Sequence, residues 1–93
     1  MQITEVRLRL VKDSGRLKAT ASITIDESFV VHDLRIVEND DALFIAMPNT
    51  RLNNGEYRDI AHPINNEVRD YIASTVIAKY KEEVARASSS ATD

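Results

Sequence analysis

From Ile3 to Val11 apolar and polar residues alternate, with Val6, Leu8 and Leu10 on one parity and Glu5, Arg7 and Arg9 on the other. A period of two predicts a strand with one buried face. Lys12-Asp13-Ser14-Gly15 supplies turn residues. Alternation then resumes from Arg16 to Asp26, with Leu17, Ala19, Ala21, Ile23 and Ile25 opposite Arg16, Lys18, Thr20, Ser22 and Thr24. Matching the apolar faces across a four-residue loop pairs Val11 with Arg16 and Arg9 with Lys18, whereas a slip of one residue would mix apolar with charged sides. On this pairing Arg7, Arg9, Arg16 and Lys18 gather on one face of a hairpin.

Asp26-Glu27-Ser28 predicts a second turn, Phe29 to Val37 a third strand, Glu38-Asn39-Asp40-Asp41 a four-residue turn, and Ala42 to Met47 a fourth strand. The last two strands carry apolar groups on both parities, which departs from the clean alternation of an antiparallel sheet with one wet face. One face is therefore expected to pack on a helix and part of the other to be covered by a second chain. Pro48 stops the fourth strand, Asn49 to Glu56 reads as a polar loop around Asn53-Asn54-Gly55, and Tyr57 to Ala61 reads as a short fifth strand before Pro63. Asn65 or Asn66 is placed to cap a helix, with Glu67 and Asp70 in its first turns. Val68, Tyr71, Ile72, Thr75, Val76, Tyr80 and Val84 then recur at helical spacing, a stripe expected to be core. Ser88 to Asp93 has no periodicity and reads as a disordered tail. The predicted architecture is α+β: one domain over residues 1–87, an antiparallel five-stranded sheet followed by a C-terminal helix packed on it, dimerising through the sheet.

Length and charge constrain this picture further. Ninety-three residues support one core but bury only about 60 to 65% of the unfolded surface, so a partner chain would help. The absence of cysteine excludes a disulfide framework and a thiolate site and fits a reducing compartment. No apolar run approaches the roughly 18 residues of a membrane span, so no membrane partner and a cytoplasmic location are expected. The net charge of −3 argues against a generic nucleic-acid coat. It is unevenly spread. Val6 to Lys18 holds five basic residues and one acidic, a net of +4, while Asp26 to Asp41 holds six acidic and one basic, a net of −5.

Candidate chemistry is sparse. His32-Asp33 and Asp59…His62 are the groupings that suggest acid-base or metal work, but neighbours on a strand point to opposite faces and a metal needs three or four convergent ligands. Both histidines are expected to satisfy local hydrogen bonds, and Asp59 to pair with an arginine. With no phosphate loop, nucleophile motif or zinc spacing, neither catalytic residues nor a metal or other cofactor are expected. The Arg7, Arg9, Arg16 and Lys18 face can follow a phosphate backbone, or equally can serve as a solvated face that discourages aggregation. Arg51 and Arg58 flank the polar loop.

LFIAMPNTRLNNGEYRDIAHPIN at Leu43–Asn65, preceded by FVVHDLRIVEN and VRLRLVKDSGRLKATASITID, closely resembles the stage V sporulation protein G (SpoVG) family, regulators named for sporulation and septation. The resemblance covers Met1 to about Tyr80. It implies an α+β homodimer that binds DNA and RNA to modulate expression, with contacts from basic residues after the Ala46-Met47-Pro48 tripeptide and around the helix start. The matching positions are Arg51, Arg58 and Arg69, with Asn66 beside Arg69 at the helix start. Where the family often carries a further basic residue beside Arg51, this chain has Asn49 and Thr50, which moves weight to the Arg7, Arg9, Arg16 and Lys18 face. A protein partner recruited by the acidic Asp26–Asp41 region is the alternative expectation.

Overall fold

Pro48 divides the chain into two β systems. A computed structural model describes residues 1–11 and 15–91, with side chains through Ala87. Four strands, β1 (Ile3–Leu10), β2 (Leu17–Ile25), β3 (Phe29–Asn39) and β4 (Ala42–Ala46), form an antiparallel sheet in chain order, while β5 (Asn49–Arg51) and β6 (Tyr57–Asp59) form a separate two-stranded ribbon. Helix α1 (Asn66–Ala91) follows. The expected five-stranded sheet is thereby corrected to four strands plus a ribbon, and the expected loop at Asn49–Arg51 to a strand. Pro48 has no N–H to extend the first ladder. Its carbonyl instead accepts from Ile60 N–H at 2.7 Å and starts the second. A three-residue strand wet on most of its length needs no apolar alternation, so Asn49-Thr50-Arg51 has no periodic signature. The assigned helix overlaps the start of the segment read as a tail, of which Thr92 and Asp93 lie outside the described residues.

The β1–β2 register is Leu10 to Ala19, Arg9 to Thr20, Arg7 to Ser22 and Glu5 to Thr24, and Val11 N–H donates to Lys18 C=O at 2.9 Å. This lies two residues from the expected pairing. A shift of two preserves every face, so apolar matching fixes the parity of a ladder and leaves the loop length open. Of the turn expected at Lys12–Gly15, Gly15 is described, at φ 65°, while Lys12, Asp13 and Ser14 lie outside the described residues.

The other two turns are tighter than composition suggests. Ser28 N–H donates to Ile25 C=O at 3.0 Å across Asp26 (φ 51°) and Glu27 (φ 54°). Asn39 pairs with Ala42 across Asp40 (φ 52°) and Asp41 (φ 66°), a two-residue turn in place of the expected four. Positive φ at both central residues is the type I′ geometry, whose twist matches that of the flanking strands. A register shift between Ala21 and Ile23 accommodates Asp33 at φ 67° as a bulge in β3.

The core lies between the sheet and α1: Ala19, Ala21, Ile23, Leu34, Ile36, Met47, Ile72 and Val76 are buried, with Val6, Leu8, Leu43, Ile45, Val68 and Tyr80 packed around them. Small alanines in the middle of β2 let the helix come close, and it crosses β1, β2 and β4. Asn65 caps the helix, its Oδ1 accepting from Val68 N–H at 2.8 Å. Tyr71, expected in the core, stands at its margin, and its hydroxyl oxygen accepts from Ile3 N–H at 2.8 Å. The same end of β1 is tied again to the β2–β3 turn: Gln2 N–H donates to Asp26 Oδ1 at 2.9 Å and Glu27 N–H to Thr4 Oγ1 at 3.0 Å. On the sheet face away from the helix, Val37 pairs with Phe44 and Arg35 with Ala46. Phe44 is 53% exposed there.

Candidate nucleic-acid interface

Strand β1 holds Arg7 and Arg9 on one face, because residues two apart on a strand share a side. The same rule puts Glu5 there, and Arg7 Nε lies 3.1 Å from Glu5 Oε1. Arg7, Arg9, Thr20, Ser22 and Asp33 line one shallow cleft, so two cations share it with the Asp33 carboxylate and, at its edge, with Glu5. Lys18 is half-buried and lies 4.0 Å from Glu38 Oε1. Arg16 is exposed just before β2 begins, its carbonyl accepting from Glu38 N–H at 2.9 Å. The expected row of four cations is therefore interleaved with Glu5, Asp33 and Glu38, and Arg9 faces Thr20 where Lys18 was expected.

The ribbon is held differently. Asn49 pairs with Asp59, Thr50 with Arg58 and Arg51 with Tyr57. Neighbouring positions point to opposite sides, so Arg51 shares a face with Tyr57, and Arg58 lies on the other face with Thr50. Both arginines are exposed, and neither has a carboxylate within 4.0 Å among the described residues. Arg58 borders a second cleft with Tyr57, Asp59 and His62. The structure thus places both predicted arginines on one small ribbon without aiming them at one surface. Tyr57, 70% exposed and opposite Arg51, was not singled out by sequence. The symmetry of Thr50-Arg51…Tyr57-Arg58 about Asn53–Gly55 is the signal that pairs them.

Asn66 and Arg69 sit in the first turn of α1, both exposed, and Arg69 N–H donates to Asn65 C=O at 3.2 Å. Ser22 Oγ lies 3.0 Å from His32 Nδ1, and His62 Nδ1 lies 3.1 Å from Pro63 C=O, the local hydrogen bonds expected of the two histidines. Asp59 makes no ion pair among the described residues, contrary to expectation, because the strand turns it away from Arg58. Among the described residues no three His, Asp or Glu side chains converge as metal ligands, and no helix is long and apolar enough to cross a membrane.

The SpoVG family model matches residues 1–82. The chain belongs to the SpoVG family. Among its SpoVG relatives, one from Agathobacter rectalis, named for septation, is 54% identical over 84 residues, spanning 90% of this chain and 97% of the relative. One from Staphylococcus saprophyticus is 56% identical over 82 residues, 88% of this chain and 81% of the relative. One from Listeria monocytogenes, numbered SpoVG 2, is 54% identical over 81 residues, 87% of this chain and 79% of the relative. The SpoVG match covers both β systems and the helix through Glu82, so the ribbon with Arg51 and Arg58 and the helix start with Asn66 and Arg69 all fall inside it.

Proposed function

We propose that this SpoVG-family chain is a homodimeric DNA- and RNA-binding regulator of gene expression that acts without catalysis, in the septation or sporulation setting that the family and its relatives are named for. The observation that carries the reading is the exposure of Arg51, Arg58 and Arg69 with no carboxylate within 4.0 Å among the described residues. Cations left unpaired on a projecting ribbon and at a helix start are available to phosphate, whereas Arg7 and Lys18 are partly neutralised by Glu5 and Glu38. The dimer half of the reading is supported by Phe44 and Val30, apolar and 53% and 45% exposed on the sheet. A second copy would repeat the cations about the dimer axis, and Asn66 and Arg69 would bias the choice of site.

Filter binding to DNA and RNA at near-physiological salt tests it. Competitor-resistant binding is expected, with the salt slope of log K falling by about 0.9 on duplex DNA for each phosphate contact removed by alanine at Arg51, Arg58 or Arg69. Unchanged affinity and slope in the triple variant would remove these sites and shift the contact to Arg7, Arg9, Arg16 and Lys18. No binding above competitor would favour a second reading, a protein-interaction regulator. The net charge of −3 and the exposed Phe29, Ile60 and Ile64 are the observations on that side.

A further inference from the structure

The backbone of the ribbon sets Tyr57 and Arg51 in the closer of the two pair types of an antiparallel ladder. Ile60 N–H donates to Pro48 C=O and Leu52 N–H to Glu56 C=O, both at 2.7 Å, so Pro48–Ile60 and Leu52–Glu56 are hydrogen-bonded pairs. Hydrogen-bonded and non-hydrogen-bonded pairs alternate along an antiparallel ladder, which makes Arg51–Tyr57 a non-hydrogen-bonded pair, the type with the closer side chains. The loop beyond them is pinned by Gly55 N–H to Leu52 C=O at 3.0 Å and Glu56 N–H to Asn54 Oδ1 at 3.0 Å. Arg51 reaches back along that loop, its Nη2 lying 3.8 Å from where a Cβ on Gly55 would be. Tyr57 is 70% exposed, and its hydroxyl has no hydrogen-bond partner among the described residues.

We propose that this ribbon face is a base-stacking site for single-stranded nucleic acid, with Tyr57 as the platform and Arg51 holding the adjoining phosphate. The inference rests on the nucleic-acid reading above and names the form of nucleic acid that the ribbon takes. In a duplex the flat faces of the bases are covered by their neighbours, and the backbone alone meets Arg51. An unpaired strand offers both a base face to the ring and a phosphate to the guanidinium. Asp59, on the same ribbon face beyond Tyr57, repels phosphate from that side, so the backbone runs on the Arg51 side, toward the loop. A short, pinned hairpin holds the two groups in place before binding and so limits the ordering cost.

The test is fluorescence anisotropy of the full chain with labelled oligonucleotides of about 12 nucleotides, in three arms: unpaired DNA, unpaired RNA and the matching DNA duplex. Sedimentation runs in parallel. Tyr57→Ala is expected to weaken single-strand binding about 5- to 150-fold, leave duplex binding and the salt slope unchanged, and leave the oligomeric state intact. Tyr57→Phe keeps the π-face and is expected to bind as the unsubstituted chain does. Arg51→Ala is expected to lower the single-strand salt slope by about 0.7. Binding in either unpaired arm that falls in Tyr57→Ala supports the proposal, and the stronger arm names the sugar. The proposal is overturned if the unsubstituted chain binds and Tyr57→Ala matches it, if duplex binding falls equally, or if Tyr57→Ala changes the oligomeric state. An unsubstituted chain that binds no arm overturns the nucleic-acid reading as well.

Discussion

Phe44→Ala separates an exposed aromatic on a monomer from one that a second chain covers. Phe44 is 53% exposed on the face away from α1, opposite Val37. A phenylalanine presents about 200 Å2 of surface, so roughly 100 Å2 remains for a partner to cover. At about 25 cal/mol per Å2 that is close to 2.5 kcal/mol per protomer. The residue occurs twice in a two-fold dimer, and the total of about 5 kcal/mol amounts to more than three orders of magnitude in the dimer dissociation constant. As only part of this area need be covered, the figure is an upper bound. Sedimentation equilibrium across nanomolar to micromolar concentration is the assay, with thermal melts at two concentrations as a control on folding. The expected result is a dimer for the unsubstituted chain and a folded monomer for Phe44→Ala at concentrations where the parent is paired. An unchanged dissociation constant, or a parent that is monomeric throughout, would refute the reasoning from this face.

Other consequences are local. Tyr71→Phe deletes the acceptor for Ile3 N–H and should cost about 0.5 to 1.5 kcal/mol in urea denaturation, with faster amide exchange at Ile3; no change in either would mean that water replaces the hydroxyl without loss. Asn65→Ala removes the cap on Val68 N–H and should cost about 1 kcal/mol by the same measurement, with Asn65→Asp close to neutral. Asp41→Gly places glycine at φ 66° in the β3–β4 turn and should raise stability by about 0.5 kcal/mol, visible as a melting temperature a few degrees higher. A lower melting temperature would show that the aspartate side chain contributes more there than its backbone strain removes.

The first four strands were legible because their inner face must be apolar, although a fifth was expected to join their sheet. Ala19, Ala21 and Ile23 on β2 and Leu34 and Ile36 on β3 are buried as their alternation requires. What alternation leaves open is how far a ladder is shifted by whole repeats, so the β1–β2 pairing expected from faces lies two residues from the pairing observed. Strand β5 was invisible for a related reason. Burial does not alternate across Asn49-Thr50-Arg51, and no apolar period records its presence. The helix was legible in its stripe, while the choice of Asn65 over Asn66 as cap needed the geometry of Val68 N–H. For the candidate interface, sequence identified the cations but not their company. Glu5 beside Arg7 follows from strand parity alone, whereas Glu38 beside Lys18 and the opposite facing of Arg51 and Arg58 depend on pairings between distant segments.

The order β1-β2-β3-β4 also has a temporal meaning. Every sheet partner of a strand is its neighbour in sequence, so the whole sheet can assemble from successive hairpins while the chain is still being made. Ile72 and Val76, which share the core with Ala19, Ala21 and Leu34, belong to the last segment to emerge. A nascent chain ending at Asn65 would therefore present a formed sheet with its apolar side open, and aggregation or chaperone capture of that truncated chain, relieved in the full chain, is the measurable sign. The helix that closes the core also ends the interval during which the newborn sheet is vulnerable.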